Sequence, residues 1–163
     1  MLQHQIETTM RQLFHILILM TALVFSIHAS AQKAFFDKYE DTNGVTTIYI
    51  SKTMLGMIPD VKAGKHRIGQ IATKLDYIRI LSCEKASLMA TIIDDARKIL
   101  RSGNYETIMK MNDDDEKVTI YQRTQKEGKN EFVLLTEDKD EVAIINVMGA
   151  ITLKDIKDIA AQQ

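Results

Sequence analysis

The second half of the chain is a succession of short apolar and β-branched runs separated by charged connections. Runs of this length, with two-residue alternation and turn-forming residues between them, are typical of strands joined by hairpins. The connections NDDDEK, QKEGKN and EDKD separate four predicted strands: Tyr105–Met111, Val118–Thr124, Glu131–Thr136 and Glu141–Met148. Strands that follow one another through such short connections usually pair as neighbours, so this half of the chain predicts an antiparallel meander.

Two further strands are predicted before the meander. VTTIYIS, residues Val45–Ser51, is β-branched and aromatic and follows the turn dipeptide Asn43-Gly44. LDYIRILSC, residues Leu75–Cys83, alternates well enough to form the second strand. The last two strands of the meander are apolar on both sides. They therefore belong at the centre of the sheet, or a second subunit covers one of their faces.

Ala86–Arg101 is predicted to be the main helix, because its apolar residues recur three or four positions apart. They form one stripe: Met89, Ile92, Ile93, Ala96, Ile99 and Leu100. The following Ser102-Gly103-Asn104 predicts the end of this helix. A short helix is predicted over Lys52–Ile58, where Pro59 stops it.

Thr152 and Asp155 resemble a capping box and predict a last helix. Its inner face consists of Leu153, Ile156, Ile159 and Ala160. The order β-α-β-α-β-β-β-β-α then predicts an α+β fold, with a largely antiparallel sheet and helices mainly on one face. No linker or repeat interrupts residues 32–163, which we predict to be a single domain.

The amino terminus predicts export. Arg11 precedes the apolar run Leu13–Ile27, which is shorter than the ~20 residues of a membrane span. Ala29-Ser30-Ala31 follows as a small-x-small cleavage site, so residues 1–31 are predicted to be a signal peptide cleaved after Ala31. Either Met1 or Met10 suits as the start. The expected location is periplasmic or extracellular, with no membrane span after cleavage.

The cleaved chain has few side chains of the types that usually carry catalysis. It retains one histidine, His66, and one cysteine, Cys83, which excludes zinc sites built from several such ligands. A Cys83–His66 pair would still need an orienting group and an oxyanion site. With 21 basic and 22 acidic residues in the full sequence, the net charge is −1, which gives no electrostatic preference for nucleic acid.

Two loops resemble ligand sites but lack the required pattern. Asp113, Asp114 and Asp115 are contiguous, whereas a calcium loop spaces its ligands around a glycine. GKHRIG, residues 64–69, has the glycine spacing of a phosphate loop, but Gln70 and Ile71 replace its Lys and Ser/Thr. We therefore predict no metal and no cofactor.

Several stretches resemble the secreted Bacteroidota proteins grouped as domain of unknown function 4252. They are FFDKYED, VTTIYISKTML, LDYIRILSCE, YETIMKM, VTIYQRT, FVLLTED and INVMGAITLKDI. The resemblance covers residues 32–163 and rests on strand and helix patterns. It implies an envelope location and a link with envelope-stress or cell-surface signalling, and it supplies no catalytic residues.

The predicted strands point to a candidate binding face. Strand side chains alternate between two faces, so Ile48 and Ile50 oppose Tyr49. If the isoleucine sides face the helices, four side chains look outward from the sheet: Tyr49, Tyr77, Arg79 and Tyr121. Tyrosine and arginine are the residue types that anchor protein interfaces, although tyrosine is also common on ordinary sheet surfaces.

We therefore predict a non-enzymatic protein-binding module whose partner is another envelope protein or a second copy of this chain, which would make a homodimer. A small-ligand or lipid carrier with a pocket between helices and sheet is the alternative. A hydrolase built on carboxylates remains a third, because paired acids follow no sequence spacing rule.

Overall fold

The computed structural model describes residues 27–57, 62–63, 66–67 and 69–155. The predicted leader up to Ser26, Pro59 and residues 156–163 of the predicted last helix lie outside this part of the chain. The chain forms two compact units, Met1–Phe35 and Phe36–Gln163. In the first unit, residues 27–35 are the helical start of α1, Ile27–Tyr39, which the sequence analysis did not predict. This helix includes the predicted cleavage site at Ala31.

The second unit is built on a six-stranded sheet in the order β1-β4-β8-β7-β6-β5. Its strands are β1 Val45–Ser51, β4 Leu75–Cys83, β5 Glu106–Asn112, β6 Glu116–Thr124, β7 Asn130–Asp138 and β8 Val142–Gly149. All neighbouring strands in it are antiparallel. A separate two-stranded ladder pairs β2, Lys62–Ala63, with β3, His66–Arg67, within the segment predicted to be a loop.

Besides the end of α1 and the helical residues 153–155, the described part of this unit has further helical segments. They are α2 Lys52–Met57, α3 Gly69–Ala72, α4 Ala86–Ser102 and the 3-10 turn Lys126–Gly128. Every predicted strand has its ends within two residues of the observed ones, and the four-strand meander and the α+β fold class are confirmed. The predicted capping box is also present. Thr152 Oγ1 accepts the Asp155 backbone N–H at 3.2 Å, and Asp155 Oδ2 accepts the Thr152 backbone N–H at 2.8 Å.

Helix α4 covers one face of the sheet, which we call the α4 face. Its predicted apolar stripe supplies the buried residues Met89, Ile92, Ala96 and Leu100. The sheet residues buried on this face are mainly Leu81, Val133, Leu135, Val142 and Ile144. Arg97 of α4 also bonds Glu137, which alternation places on the same side of β7. Close packing of aliphatic side chains along α4 therefore provides the main core.

The opposite face carries Ile48, Ile78, Ile80, Ile120 and Ile145, and we call it the isoleucine face. The short helices lie at one end of it. Leu55 of α2 forms a buried cluster with Leu75, Phe132 and Ile151, and Ile71 of α3 packs against this cluster. A β-bulge between Leu75 and Tyr77 shifts the register by one residue, so Leu75 points to the isoleucine face and joins the cluster.

Gly149 marks the closest backbone approach among the described glycines. A Cβ atom there would lie 2.3 Å from the Lys74 carbonyl oxygen and 2.7 Å from the Leu75 Cα. Both atoms belong to the backbone beside the bulge, and the Ala150 N–H donates to the same carbonyl at 2.9 Å. The start of β4 and the end of β8 can meet this closely only where the side chain is a hydrogen atom.

We predict that Gly149→Ala lowers the free energy of unfolding by about 1–3 kcal/mol, because backbone must move to admit the methyl group. Gly56→Ala is the matched control, since a Cβ there has no neighbour within 4 Å. Because Gly56 lies in helix α2, Gly56→Ala should leave the free energy of unfolding unchanged or raise it by up to about 1 kcal/mol. Urea unfolding followed by circular dichroism measures both. Equal stability of the two variants would contradict the close approach.

Candidate functional site

Three of the four predicted binding residues converge because of how β1 pairs with β4. Tyr49 lies opposite Arg79, and Ser51 lies opposite Tyr77. Side chains directly opposite in an antiparallel pair project to the same face, and diagonal neighbours remain within reach of aromatic rings. The ring centroids of Tyr49 and Tyr77 are accordingly 6.3 Å apart. The pattern of alternation thus brings two tyrosines and an arginine into one group.

Arg79 is the centre of this group. Its guanidinium carbon lies 4.6 Å from the Tyr77 ring centroid, 5.5 Å from that of Tyr49 and 6.0 Å from that of Phe36. Within about 6 Å an arginine is attracted by the ring quadrupole, so three rings hold one cation in place. We call Phe36, Tyr49, Tyr77 and Arg79 the arginine–aromatic cluster. The sequence analysis missed Phe36, because it did not predict α1.

The cluster lies on the α4 face, so the prediction that its side chains look away from the helices is wrong. Both faces of the central strands are apolar, and alternation alone does not say which of them receives the main helix. Tyr77 and Arg79 are accordingly half-buried. Tyr49 is still 61% exposed, because it belongs to the edge strand β1.

Tyr121 does not join the cluster. It shares a row with the others across the α4 face, because it pairs with Val133, which pairs with Asn146, which pairs with Arg79. Three strand spacings of about 4.8 Å separate Tyr121 from Arg79, or about 14 Å. The four predicted residues therefore share a face, and one of them stands apart on β6.

A buried carboxylate lies next to Tyr77. Glu131 is 1% exposed. Arg123 Nη2 donates to its Oε2 at 2.7 Å, Gln125 Nε2 donates to the same oxygen at 3.1 Å, and Asn146 Nδ2 donates to its Oε1 at 2.9 Å. A buried charge is tolerated only when paired and hydrogen-bonded in this way. The sequence analysis missed this group, because a glutamate at the start of a strand resembles a solvated hairpin residue until the register places Arg123 opposite.

Arg123 links this carboxylate to the end of α4. Its Nη1 donates to the Gly103 carbonyl at 3.2 Å, and its guanidinium carbon lies 4.5 Å from the Tyr105 ring centroid. Two buried atoms of the network, Arg123 Nε and Asn146 Oδ1, have no hydrogen-bond partner. A polar strip therefore lies on the α4 face beside the cluster, and its hydrogen bonds join β6, β7 and β8 to one another and to the end of α4.

Tyr77 is the titratable group that connects the strip to the cluster. Burial raises the pKa of its phenol to about 12 from the ordinary 10.0, and the negative charge of Glu131 acts in the same direction. The nearby Arg79 and Arg123 only partly oppose this. The hydroxyl consequently keeps its proton throughout the physiological range and is a hydrogen-bond donor.

The other candidate residues from the sequence are Cys83 and the three consecutive aspartates. Cys83 is buried, and its Sγ contacts the Lys85 carbonyl at 3.8 Å. Asp113, Asp114 and Asp115 are exposed in the turn between β5 and β6, where the Asp113 N–H donates to the Glu116 carbonyl. In the described ranges no three His, Cys, Asp or Glu side chains come together as metal ligands. No helix in those ranges is long and apolar enough to cross a membrane.

We predict that one tyrosine of the folded protein titrates near pH 12 and that this step disappears in Tyr77→Phe. The folded state holds this proton more tightly than the unfolded state does. The stability contributed by protonated Tyr77 is therefore complete below pH 10 and is lost as the pH rises toward 12. Ultraviolet absorbance of tyrosinate measures the titration, and Tyr49→Phe is the control that should retain the step. Loss of the step in the control instead would contradict the assignment.

Comparison with known proteins identifies the family. No curated protein matches the chain. Among solved structures, the crystal structure of a protein of unknown function, PA94 from Pseudomonas aeruginosa, aligns over 70% of this chain and 72% of its own with 9% identity and a TM-score of 0.34. That likeness is too weak to support an argument. The family model for a domain of unknown function, DUF4252, matches residues 39–159. The chain therefore belongs to the DUF4252 family.

Proposed function

We propose that this protein is an exported, non-enzymatic binding module that docks a protein partner through the arginine–aromatic cluster. The observation that carries the proposal is the combination of exposure and order in the cluster. Tyr49 is 61% exposed, yet its ring lies against Tyr77 and Arg79. Interface anchors are typically tyrosine and arginine held in position before the partner arrives, because little side-chain entropy is then lost on binding.

The neighbouring carboxylate supports binding rather than acid–base catalysis. Both oxygens of Glu131 already accept hydrogen bonds from Arg123, Gln125 and Asn146. A general base needs a free lone pair within reach of the substrate proton, and Glu131 is almost completely covered. Its charge instead offsets that of Arg123, and it adds to the effect of burial in raising the pKa of the Tyr77 hydroxyl.

The amino terminus supports export. A basic residue, an apolar run of about fifteen residues and a small-x-small site follow one another, as in secretory signal peptides. The proposed partner is therefore a protein of the cell envelope or outside the cell.

Export can be tested on the full-length gene expressed in its own cells. We predict that the purified protein begins at Gln32, because signal peptidase cuts after Ala31. Intact-mass measurement of the carboxy-terminally tagged chain reads the cleavage site, and Ala31→Arg is the control that should block it. A wild-type chain that retains its first 31 residues would contradict export by this route.

We predict that Tyr49→Ala lowers the affinity for the partner at least tenfold without reducing the stability of the fold. Truncating an interface anchor costs about 2 kcal/mol of binding, whereas a largely exposed edge side chain contributes little to the fold. The measurement is crosslinking and affinity capture from the native envelope, quantified by mass spectrometry. Met111→Ala is the matched control, because Met111 is 42% exposed on the other edge strand and belongs to the isoleucine face.

Arg79→Ala should reproduce the loss of partner, since Arg79 holds both tyrosine rings. Capture of the same partner at equal yield by wild type and Tyr49→Ala would contradict the proposal. If no protein is captured and native mass spectrometry finds a small molecule bound to the purified chain, the protein is a small-ligand or lipid carrier and not a protein-binding module.

A further inference from the structure

The two edges of the sheet differ in how well they are protected. Edge strand β1 pairs with β4 over all seven of its residues, from Val45 to Ser51, without a register shift. Among the described strands none pairs with its outer side. Its sequence, VTTIYIS, has no charge, no proline and no glycine. Such a strand presents a regular row of free backbone donors and acceptors, and native proteins normally block such rows.

Edge strand β5 shows the usual protection. Its pairing with β6 has a register shift between Thr107 and Met109, and it carries the charged residues Glu106 and Lys110. A bulge twists the edge out of line, and charged side chains make the approach of another strand costly. The contrast within one sheet indicates that the open edge at β1 has a use.

We propose that β1 pairs with β1 of a second copy of this chain in antiparallel orientation, which joins two sheets edge to edge. This inference goes beyond the proposed function, because it uses the backbone edge of β1, and Tyr49 is the one member of the arginine–aromatic cluster in that strand. A two-fold axis at Ile48 pairs all seven residues of each strand. Ile48 then lies opposite Ile48 of the second copy, Thr46 opposite Ile50, and Thr47 opposite Tyr49.

The side chains of β1 suit this pairing. Ile48 is 46% exposed on the isoleucine face, and its counterpart across the axis would cover it with an equal apolar group. On the α4 face, a threonine meets a tyrosine twice, and cross-strand pairs of β-branched and aromatic residues are favourable. An uncharged strand brings no like charges together in such a symmetric contact.

Charges beyond the ends of β1 favour the antiparallel orientation of a second copy. The exposed acidic residues Glu40 and Asp41 precede the strand, and the exposed Lys52, whose Nζ lies 3.3 Å from Asp76 Oδ1, follows it. Antiparallel pairing places the acidic end of each copy beside Lys52 of the other, whereas parallel pairing would place like charges together. Opposite charges within a Debye length of about 8–10 Å still attract at ordinary ionic strength.

The test uses the full-length gene, with the chain purified in whatever form the cell produces and its mass measured by sedimentation velocity. Wild type is expected to sediment as a dimer. Ile48→Lys and Ile48→Glu, each alone, are expected to halve the mass, because like charges then meet at the axis. An equimolar mixture of the two variants should recover the dimer, because opposite charges meet there.

Met109→Lys is the matched control and should remain dimeric, because Met109 is a similarly exposed residue of the same face on β5. Thermal unfolding verifies that all variants fold. A monomeric wild type, a dimeric Ile48→Lys, or a mixture that stays monomeric would each overturn the proposal. Loss of the dimer in Met109→Lys would also overturn the proposal. That result would show that the two copies pack through their isoleucine faces and not through the edges of β1. Capture of another protein through Tyr49 is a separate result, since Ile48 points to the other face.

Discussion

The sheet has two faces, and the longest helix of the described residues, α4, covers only one of them. This constraint shapes most of what the structure shows. α4 lies on one face and builds the main core with Leu81, Leu135 and Ile144. The short helices α2 and α3 cover only one end of the other face. Among the described residues, the exposed Ile48, Met109 and Met111 lie on that second face, and the exposed Met54 and Met57 belong to α2 at its end.

Coverage by α4 also explains why the polar residues of that face form networks. A side chain under a helix has lost its water, so Glu131 is paired with Arg123 and bonded by Gln125 and Asn146. Toward β1 the cover becomes thinner. There the same face ends in Arg79 held among aromatic rings, with Tyr49 open to solvent. The candidate site is thus the point where the packed core of the sheet becomes its surface.

Local sequence patterns predicted the strands, α4 and the meander, because alternation and helical spacing are properties of neighbouring residues. The side of the sheet that receives α4 was not predictable in this way. Alternation predicts that Ile48 and Ile50 face inward, but they belong to an edge strand, where burial is weak. Glu131 and Phe36 were missed because their importance depends on register and on contacts between distant segments. The separation of Tyr121 from the cluster could be predicted only from the strand order, which places Tyr121 three strands from Arg79.

The position of β4 in the sheet has a consequence for when the chain can fold. β4 lies between β1 and β8, yet β8 is the last strand among the described residues. The meander can form from hairpins with short connections, whereas the β4–β8 ladder closes a long loop and is therefore slow to form. The ribosome must synthesise the chain through Gly149 before this ladder has both strands. In the exported chain that we propose, β4 crosses the membrane before β8, so the β4–β8 ladder can close only after β8 has crossed.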